Sequence, residues 1–260
     1  MSEPFELYAI RYATLAGRQP HEVFIGGDPH EGSFDMDYFV WAAIGKTRSF
    51  VIDTGFSAEA AQKRNRQFLR SPSETLRAVG IDPKTASDVV ITHLHYDHVG
   101  NFAHFPAAVF HLQDREMVFA TGRHMCHPFM RMAFEVEDVV GMVREVYRGR
   151  VRFHDGDAEL SPGFSLHPVG GHSAGLQVAR VLTRRGYVVL ASDASHYYAH
   201  MEGGRIFPIT FDVGAVLQGY RRVRELADSP AHIVPGHDPL VMQRYPAASE
   251  ELRGAVVRLD

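Results

Sequence analysis

The chain has 260 residues, of which 45% are hydrophobic and 22% are charged, and its formal net charge is -4. This length and composition fit one large globular domain or two fused halves, and the charge gives no reason to expect a nucleic acid partner. The lone Cys126 excludes an internal disulfide and a cysteine-based zinc cluster. The sequence shows neither a secretory signal nor an apolar stretch of the roughly 20 residues that cross a bilayer. We therefore expect a cytoplasmic protein without a membrane partner.

The first part of the chain predicts a β-rich layer accompanied by short helices. Alternating apolar and polar residues with aromatic and β-branched side chains indicate strands, and clusters of Gly, Pro and Asp separate them. The expected elements are a strand over 5–16, a long loop over 17–36, a hairpin of strands over 38–44 and 49–53, and helices over 57–70 and 73–79.

Polar side chains cluster where the next strand, over 88–92, gives way to a loop. This loop contains His93, His95, Asp97 and His98, and imidazole and carboxylate groups are the usual ligands of zinc or iron. His93 and His95 are two residues apart, so in an extended segment both project to the same side and can bind one metal. Asp97 and His98 follow after the chain turns and can serve a second metal.

The pattern His-x-His-x-Asp-His over residues 93–98 resembles the signature of the metallo-β-lactamase superfamily of metal hydrolases. The rest of the chain is similar to that family in the expected order and looks most like the quorum-quenching N-acyl-homoserine lactonases. The resemblance implies an α/β (α+β) fold, a four-layer αββα sandwich formed by one domain over residues 1–260. It also implies that Asp53, in an Asp-x-Gly motif after a strand, orients the metal loop by hydrogen bonds. A plain turn residue is the alternative for Asp53.

Residues 113–148 differ from their surroundings, because they contain five Met and three Phe and show no strand alternation. They follow a predicted strand over 108–112 and indicate a helical insertion beside the site. The Met and Phe side chains, Phe129 and Met130 among them, fill a core or form an adaptable apolar wall for a substrate. Two histidines flank Cys126 in this segment, but without a fourth ligand they predict no further metal site.

The last part of the chain repeats the plan of strands followed by a helix. Residues 151–183 resemble a second set of strands, so the chain divides into two similar halves, about 1–112 and 151–260. The expected elements are a strand over 164–169, a hairpin of strands over 177–182 and 187–191, an amphipathic helix over 211–227 and a strand over 231–234.

Three polar residues follow strands at positions that match the remaining ligand loops of the family. His172 lies in Gly-His-Ser-x-Gly, whose glycines let the backbone approach a metal, whereas its rival His167 lies within a strand. Asp193 fits a bridging carboxylate, and His237 follows the last strand. The resemblance therefore implies two divalent metal ions per chain, Zn²⁺ first, with Fe, Mn or Co as alternatives. The implied ligands are His93, His95 and His172 for the first metal, Asp97, His98 and His237 for the second, and Asp193 for both.

The implied reaction is the opening of a lactone or related ester by a metal-bridging hydroxide, with an N-acyl-homoserine lactone-like substrate favoured. Asp97 could deliver a proton to the leaving alkoxide. The lactonases have a carbonyl-polarising Tyr three residues after the bridging Asp, but this chain has His196 there, followed by Tyr197. Either His196 or Tyr197 would stabilise the oxyanion, and aromatic packing is the alternative role for both.

Three other functions of the same fold compete with lactone hydrolysis. A thioesterase of glyoxalase II type needs a basic patch for its thiol carrier, and a nuclease or phosphodiesterase needs a basic exosite, which the net charge disfavours. A flavin-partnered di-iron oxygen reductase usually has Glu where His95 stands. The expected partner is a small-molecule lactone or ester, and a homodimer is compatible with the sequence.

Overall fold

The computed structural model describes residues 3–260, which form two stacked β-sheets between layers of helices. The strands are β1 (Glu6–Arg18), β2 (Phe34–Ile44), β3 (Ser49–Ile52), β4 (Gln67–Phe68), β5 (Asp88–Val90), β6 (Val109–Gln113), β7 (Val151–His154), β8 (Ala158–Ser161), β9 (Phe164–Pro168), β10 (Gln177–Thr183), β11 (Gly186–Ser192), β12 (Ile233–Pro235) and β13 (Val256–Arg258). The α-helices are α1 (Pro20–Val23), α2 (Ala58–Lys63), α3 (Pro72–Ala78), α4 (Tyr96–Val99), α5 (Asp114–Thr121), α6 (Pro128–Arg131), α7 (Val136–Tyr147), α8 (Tyr198–Gly203), α9 (Val213–Leu226) and α10 (Val241–Arg244). Among these helices, none combines the length and the apolar composition that crossing a bilayer takes.

Both sheets are mixed. The first has the strand order β13-β1-β2-β3-β5-β6-β7, with β4 paired to β1 beside this path. Its strands β3, β5, β6 and β7 run parallel to one another, whereas β13, β1, β2 and β3 are antiparallel. The second sheet has the order β12-β11-β10-β9-β8, in which only the pair β11–β12 is parallel.

Side-chain alternation along the strands produces the four layers. On β5, Val89 packs on the helix-covered side of the first sheet, and Val90 packs between the two sheets. On β11, Leu190 packs between the sheets and Val189 packs toward α9. Successive strand residues face opposite sides, so strands covered on both faces are apolar at every position. This arrangement confirms the expected αββα sandwich.

The division of the chain into two similar halves was wrong. β7, expected among the second set of strands, pairs with β6 in the first sheet, and β13 near the end of the chain pairs with β1. The first sheet therefore contains strands from both expected halves of the chain. Pairing between distant segments decides which sheet a strand joins, and a local residue pattern does not encode that pairing.

Two shorter predictions also need correction. The helix expected over 57–70 ends at Lys63, because the chain then turns and Gln67 pairs with Thr14 of β1. The loop expected over 17–36 contains α1 and the first residues of β2. Both errors concern short elements that long-range contacts stabilise more than local propensity does.

Candidate metal centre

The seven metal ligands expected from the sequence meet at one edge of the two sheets. Residues 93–98 follow β5, the loop 170–175 precedes β10, and Asp193 and His237 follow β11 and β12. All seven side chains belong to buried residues, so water reaches little of the cluster. Their exposed fractions are His93 0%, His95 4%, Asp97 7%, His98 1%, His172 4%, Asp193 3% and His237 1%.

Three imidazoles form the first group of the cluster. His93 Nε2 lies 3.0 Å from His95 Nδ1, and His172 Nε2 lies 2.9 Å from the same atom. Burial, together with the neighbouring imidazoles, lowers the pKa of His93 and of His95 well below the ordinary value. These rings are therefore neutral at pH 7, which is the form that binds a metal.

A carboxylate and two further imidazoles form the second group. Asp97 Oδ2 lies 3.7 Å from Nε2 of His98 and 3.7 Å from Nε2 of His237. Asp193 lies between the two groups, since its Oδ1 is 3.0 Å from His237 Nε2 and its Oδ2 is 3.2 Å from His172 Nε2. Each oxygen of Asp193 thus faces one group.

Hydrogen bonds on the outer side of the rings decide which nitrogen faces the cluster. Nδ1 of His237 donates to the carbonyl oxygen of Asp37 at 2.8 Å, and Nδ1 of His172 donates to that of Ile209 at 2.6 Å. Because Nδ1 of each ring faces a carbonyl oxygen, Nε2 is the nitrogen that faces the cluster. This is the orientation of a metal-ligating histidine.

Three inward atoms show that the residues fit a metal. Nε2 of His98, Nε2 of His237 and Oδ1 of Asp193 are buried and have no hydrogen-bond partner. Each such atom costs about 1–3 kcal/mol if nothing compensates it. Burial opposes ionisation of Asp193, but the surrounding histidines outweigh it and hold the carboxyl pKa well below its usual range. An anionic carboxylate among imidazole nitrogens suits divalent cations, and overlapping sets of three ligand atoms lie within 4.8 Å of one another.

Asp53 orients the metal loop as the sequence predicted. Its Oδ1 accepts a hydrogen bond from Thr92 N at 2.8 Å, and its Oδ2 faces Nδ1 of His98 at 2.7 Å. The backbone of Asp53 has φ 61°, a left-handed conformation that costs a non-glycine residue about 1 kcal/mol. The bonds to Thr92 and His98 stabilise this position.

Glu116 is a site residue that the sequence reading missed. It lies on α5, is fully buried, and accepts hydrogen bonds from Leu94 N at 2.9 Å, Gly175 N at 2.9 Å and Ser173 Oγ at 2.7 Å. One carboxylate therefore connects the two ligand loops. Gly175 must be glycine, because a Cβ there would lie 2.1 Å from Glu116 N. No local signal marks Glu116, since acidic residues in the first turn of a helix usually face water.

The two residues proposed to stabilise an oxyanion have different surroundings. His196 Nε2 lies 2.9 Å from Asp193 Oδ2, and its ring stacks on Phe207 with centroids 3.9 Å apart. His196 lines the cavity above the cluster, whereas Tyr197 lies outside that lining and its buried hydroxyl has no hydrogen-bond partner. His167, the rival of His172, lies away from the cluster near Asp157, at 3.0 Å.

A cavity of about 110 Å³ lies over the cluster. Its wall contains Met132 and Ala133 from the predicted helical insertion, but not Phe129, which is 58% exposed, nor Met130. The insertion therefore contributes to the wall through the turn before α7 rather than through the residues expected. Other segments contribute the remaining apolar residues: Met36, Phe207, Pro208 and Ile209. The wall also contains polar residues that the sequence did not predict: Tyr38, Tyr96, Glu22, Arg18, Arg64 and Arg66.

Sequence comparison finds relatives among the lactonases. N-acyl homoserine lactonase AttM of Azorhizobium caulinodans is 30% identical over 173 residues, which are 63% of this chain and 62% of that protein. An N-acyl homoserine lactonase of Bacillus cereus is 26% identical over 219 residues, which are 76% of this chain and 81% of that protein. The match to AttM thus spans less than two thirds of its length.

Solved structures and a family-wide comparison agree on the fold. An N-acyl homoserine lactone hydrolase with the product N-hexanoyl-L-homoserine at its catalytic metal centre has a TM-score of 0.78 at 20% identity, covering 94% of this chain and 98% of that one. AidC, a dizinc quorum-quenching lactonase, has a TM-score of 0.74 at 16% identity, covering 92% and 90%. Residues 36–237 match the family described as the Metallo-beta-lactamase superfamily. The chain belongs to the metallo-beta-lactamase superfamily.

Proposed function

We propose that this protein is a dinuclear metal-dependent hydrolase that opens a lactone or a related carboxylic ester. The observation that carries the proposal is the convergence of three buried, unpartnered atoms: His98 Nε2, His237 Nε2 and Asp193 Oδ1. The sequence relatives are named N-acyl homoserine lactonases, and the solved structures hold homoserine products. N-acyl homoserine lactones are therefore the first substrates to test.

The ligand roles follow the two groups of the cluster. Two ions lower the pKa of a water they share and polarise a carbonyl when bound, and zinc suits all-nitrogen and oxygen ligation first. The proposed ligands are His93, His95 and His172 for one ion, Asp97, His98 and His237 for the other, and Asp193 for both.

The remaining steps belong to side chains of the cavity. Asp97 lines it, so its carboxylate can hold the proton that the leaving alkoxide oxygen needs. For the oxyanion, the lining supports His196 or Tyr38 over Tyr197 as the hydrogen-bond donor. Burial raises the pKa of Tyr38 well above its ordinary value, so its hydroxyl keeps the proton it would donate. Each candidate has a present partner, since Nε2 of His196 faces Asp193 and the hydroxyl of Tyr38 faces that of Tyr96.

The metal assignment is tested with a matched pair of histidines. His172→Ala should lose metal, measured by elemental analysis of protein reconstituted with zinc, and should lose lactone hydrolysis with it. His167→Ala removes a histidine of the same region that lies outside the cluster, so it should retain both ions. Wild-type protein that binds no more than one ion in excess zinc would contradict the dinuclear site.

The oxyanion donor is tested by three substitutions, with kcat and metal content measured for each variant. Tyr38→Phe should lower kcat on the order of 10²-fold, as loss of an oxyanion donor commonly does. Tyr197→Phe should change kcat little. His196→Ala should weaken metal binding because its partner Asp193 loses a hydrogen bond. If His196→Ala instead lowers kcat with both ions retained, His196 is the donor and Tyr38 is not.

One observation favours a second candidate, a phosphodiesterase. The cavity contains three arginines, and guanidinium groups suit a phosphate. Hydrolysis of bis(4-nitrophenyl) phosphate and of N-hexanoyl homoserine lactone by the same zinc-loaded protein separates the two functions. A kcat/KM for the phosphodiester above that for the lactone would favour the second candidate.

A further inference from the structure

The first of the three arginines in the cavity wall is balanced by a carboxylate. Arg64 Nη2 lies 2.7 Å from Glu135 Oε1, and the Arg64 guanidinium also lies 3.8 Å from the centre of the Tyr96 ring. Lys63 shares the same glutamate at 2.7 Å. Arg64 thus has a structural role in joining the 63–66 segment to the start of α7.

The second arginine, Arg66, is half-buried and bonds only to neutral groups. Its Nε donates to the hydroxyl of Tyr96 at 3.3 Å, and its Nη1 donates to the carbonyl oxygen of Arg64 at 2.7 Å. Within residues 3–260, no carboxylate oxygen lies within 4.0 Å of its guanidinium nitrogens. Arginine remains charged at any physiological pH, so Arg66 presents to the cavity a cation that no carboxylate contacts directly, although Asp97 of the same lining attracts it at longer range.

The third arginine, Arg18, has a similar environment. Its Nη1 lies 3.0 Å from Sδ of Met36, and its Nη2 donates to the carbonyl oxygen of Glu22 at 2.6 Å. The Glu22 carboxylate accepts a hydrogen bond from Gln19 N and forms no ion pair with Arg18 in the described chain. The pairing of Thr14 with Gln67 brings the segments that carry Arg18 and Arg66 alongside each other.

We propose that Arg18 and Arg66 bind a carboxylate or phosphate group that the substrate carries away from its scissile carbonyl. Two half-buried cations whose guanidinium groups contact no carboxylate favour an anionic ligand, and a guanidinium fork binds carboxylate or phosphate through two parallel hydrogen bonds. This inference rests on the proposed function, and it names the substrate class: an anionic lactone or ester rather than one with a plain alkyl chain.

The position of Arg66 suits a group that lies close to the reacting bond. Tyr96, which accepts the hydrogen bond from Arg66, is the neighbour of Asp97 in the metal loop. The cavity volume of about 110 Å³ is below the roughly 300 Å³ of a typical small-molecule pocket. A short substrate whose charged group reaches the arginines uses this space better than a long acyl chain does.

The test compares two esters of equal chain length, 4-nitrophenyl hexanoate and the mono-4-nitrophenyl ester of adipic acid. The zinc-loaded wild-type protein should hydrolyse the anionic ester with a higher kcat/KM. Arg66→Gln keeps a hydrogen-bond donor for Tyr96 but removes the charge, and it should reduce the preference on the order of 10- to 100-fold through KM. Arg66→Lys should restore part of it.

Arg221→Gln is the matched control for net charge, because Arg221 is an exposed residue of α9 that pairs with Glu225. It should leave the preference unchanged. Equal kcat/KM values for the two esters in wild-type protein would overturn the anionic-substrate inference while leaving the proposed hydrolase intact. If the zinc-loaded protein hydrolyses neither ester nor any lactone, the proposed function fails instead.

A binding measurement decides the inference independently of hydrolysis. Isothermal titration calorimetry of the zinc-loaded protein with monomethyl adipate and with monobutyl phosphate shows which anion binds more tightly. Both affinities should fall on the order of 10-fold or more in Arg66→Gln and in Arg18→Gln. Affinities that are the same in wild type and both variants would place the anions elsewhere and refute the role of the two arginines.

Discussion

The two ends of β5 each hold a buried cluster of histidine and aspartate, but only one of these clusters is complete. At the start of the strand, Asp88 lies 2.6 Å from Arg48 Nη2 and 3.0 Å from His111 Nε2, and His111 also contacts His154 at 3.1 Å. Every polar atom that Asp88 presents there has a partner. At the far end, the cluster after residue 92 leaves ring nitrogens and a carboxylate oxygen unpartnered.

This difference separates structural polar residues from functional ones. Both clusters combine histidine with aspartate, so these residue types alone do not distinguish them. A satisfied network needs nothing further, whereas several unpartnered buried polar atoms that converge on one point suit a ligand there. Metal removal and Asp53→Asn change the unpartnered cluster, and Asp88→Asn changes the satisfied one.

Removal of the metals should have the largest effect. A ligand present at about 1,000 times its Kd stabilises the folded state by about 4 kcal/mol, and the proposed site takes two ions. Treatment with a chelator should therefore lower the free energy of unfolding in urea by at least that amount, and added zinc should restore it. Coincident unfolding curves with and without chelator would show that the cluster holds no tightly bound metal.

Asp53→Asn should have the next largest effect, which is a loss of metal affinity. Asparagine tolerates the left-handed backbone at this position, but its amide cannot accept all the hydrogen bonds from Thr92 and His98. Zinc affinity, measured by competition with a chromophoric chelator, should fall about 10- to 100-fold. This is the usual effect of replacing a residue that hydrogen-bonds to a metal ligand. Asp157→Asn is the control, because Asp157 contacts His167 outside the site, and its zinc affinity should equal that of wild type.

Asp88→Asn should have the smallest effect and should leave metal content unchanged. The loss of one charged partner of Arg48 should cost about 1–2 kcal/mol, since Arg48 is 35% exposed and water replaces part of the interaction. Burial opposes ionisation of Asp88, but Arg48, Ser87 and His111 outweigh it and lower the pKa to about 2. The carboxylate therefore stabilises the fold above its ordinary pKa of 3.8, and this contribution disappears as the pH falls toward 2.

Urea unfolding of metal-free protein between pH 2 and pH 5 tests this dependence. The wild-type curve should approach that of Asp88→Asn as the pH falls, because protonated Asp88 resembles asparagine in charge. A difference between the two proteins that stays constant over this range would contradict the lowered pKa. A variant that loses zinc would contradict the independence of the two clusters.

The meeting of the first four proposed ligands was predictable because they lie close together in the chain. Six residues after an apolar run contain His93, His95, Asp97 and His98. Their proximity could therefore be predicted without knowledge of the fold or of contacts between distant segments. His172 and His237 each follow a glycine near the end of a predicted strand. This local pattern is weaker, and it predicted a ligand only together with the order of motifs in the family that the chain resembles.

The residues that the sequence did not reveal act through contacts between distant segments. Glu116 meets Gly175 across 59 positions, and Arg66 is next to the cavity only because β4 pairs with β1. β7 and β13 join the first sheet for the same kind of reason. Local periodicity fixes the type of an element, but it contains no information about which distant partner completes it.

Both ends of the segment 117–132 are bonded to the metal loop. Glu116, just before it, accepts a hydrogen bond from Leu94 N, and the carbonyl oxygen of Ala133, just after it, accepts one from Tyr96 N. Between these two attachments the chain forms short helices and part of the cavity wall, including Met132. A segment held in this way can change in length or composition while its attachments stay in place. The segment can therefore be replaced, by evolution or by design, in a way that changes the cavity wall at Met132. The positions of the histidines in the metal loop would stay the same.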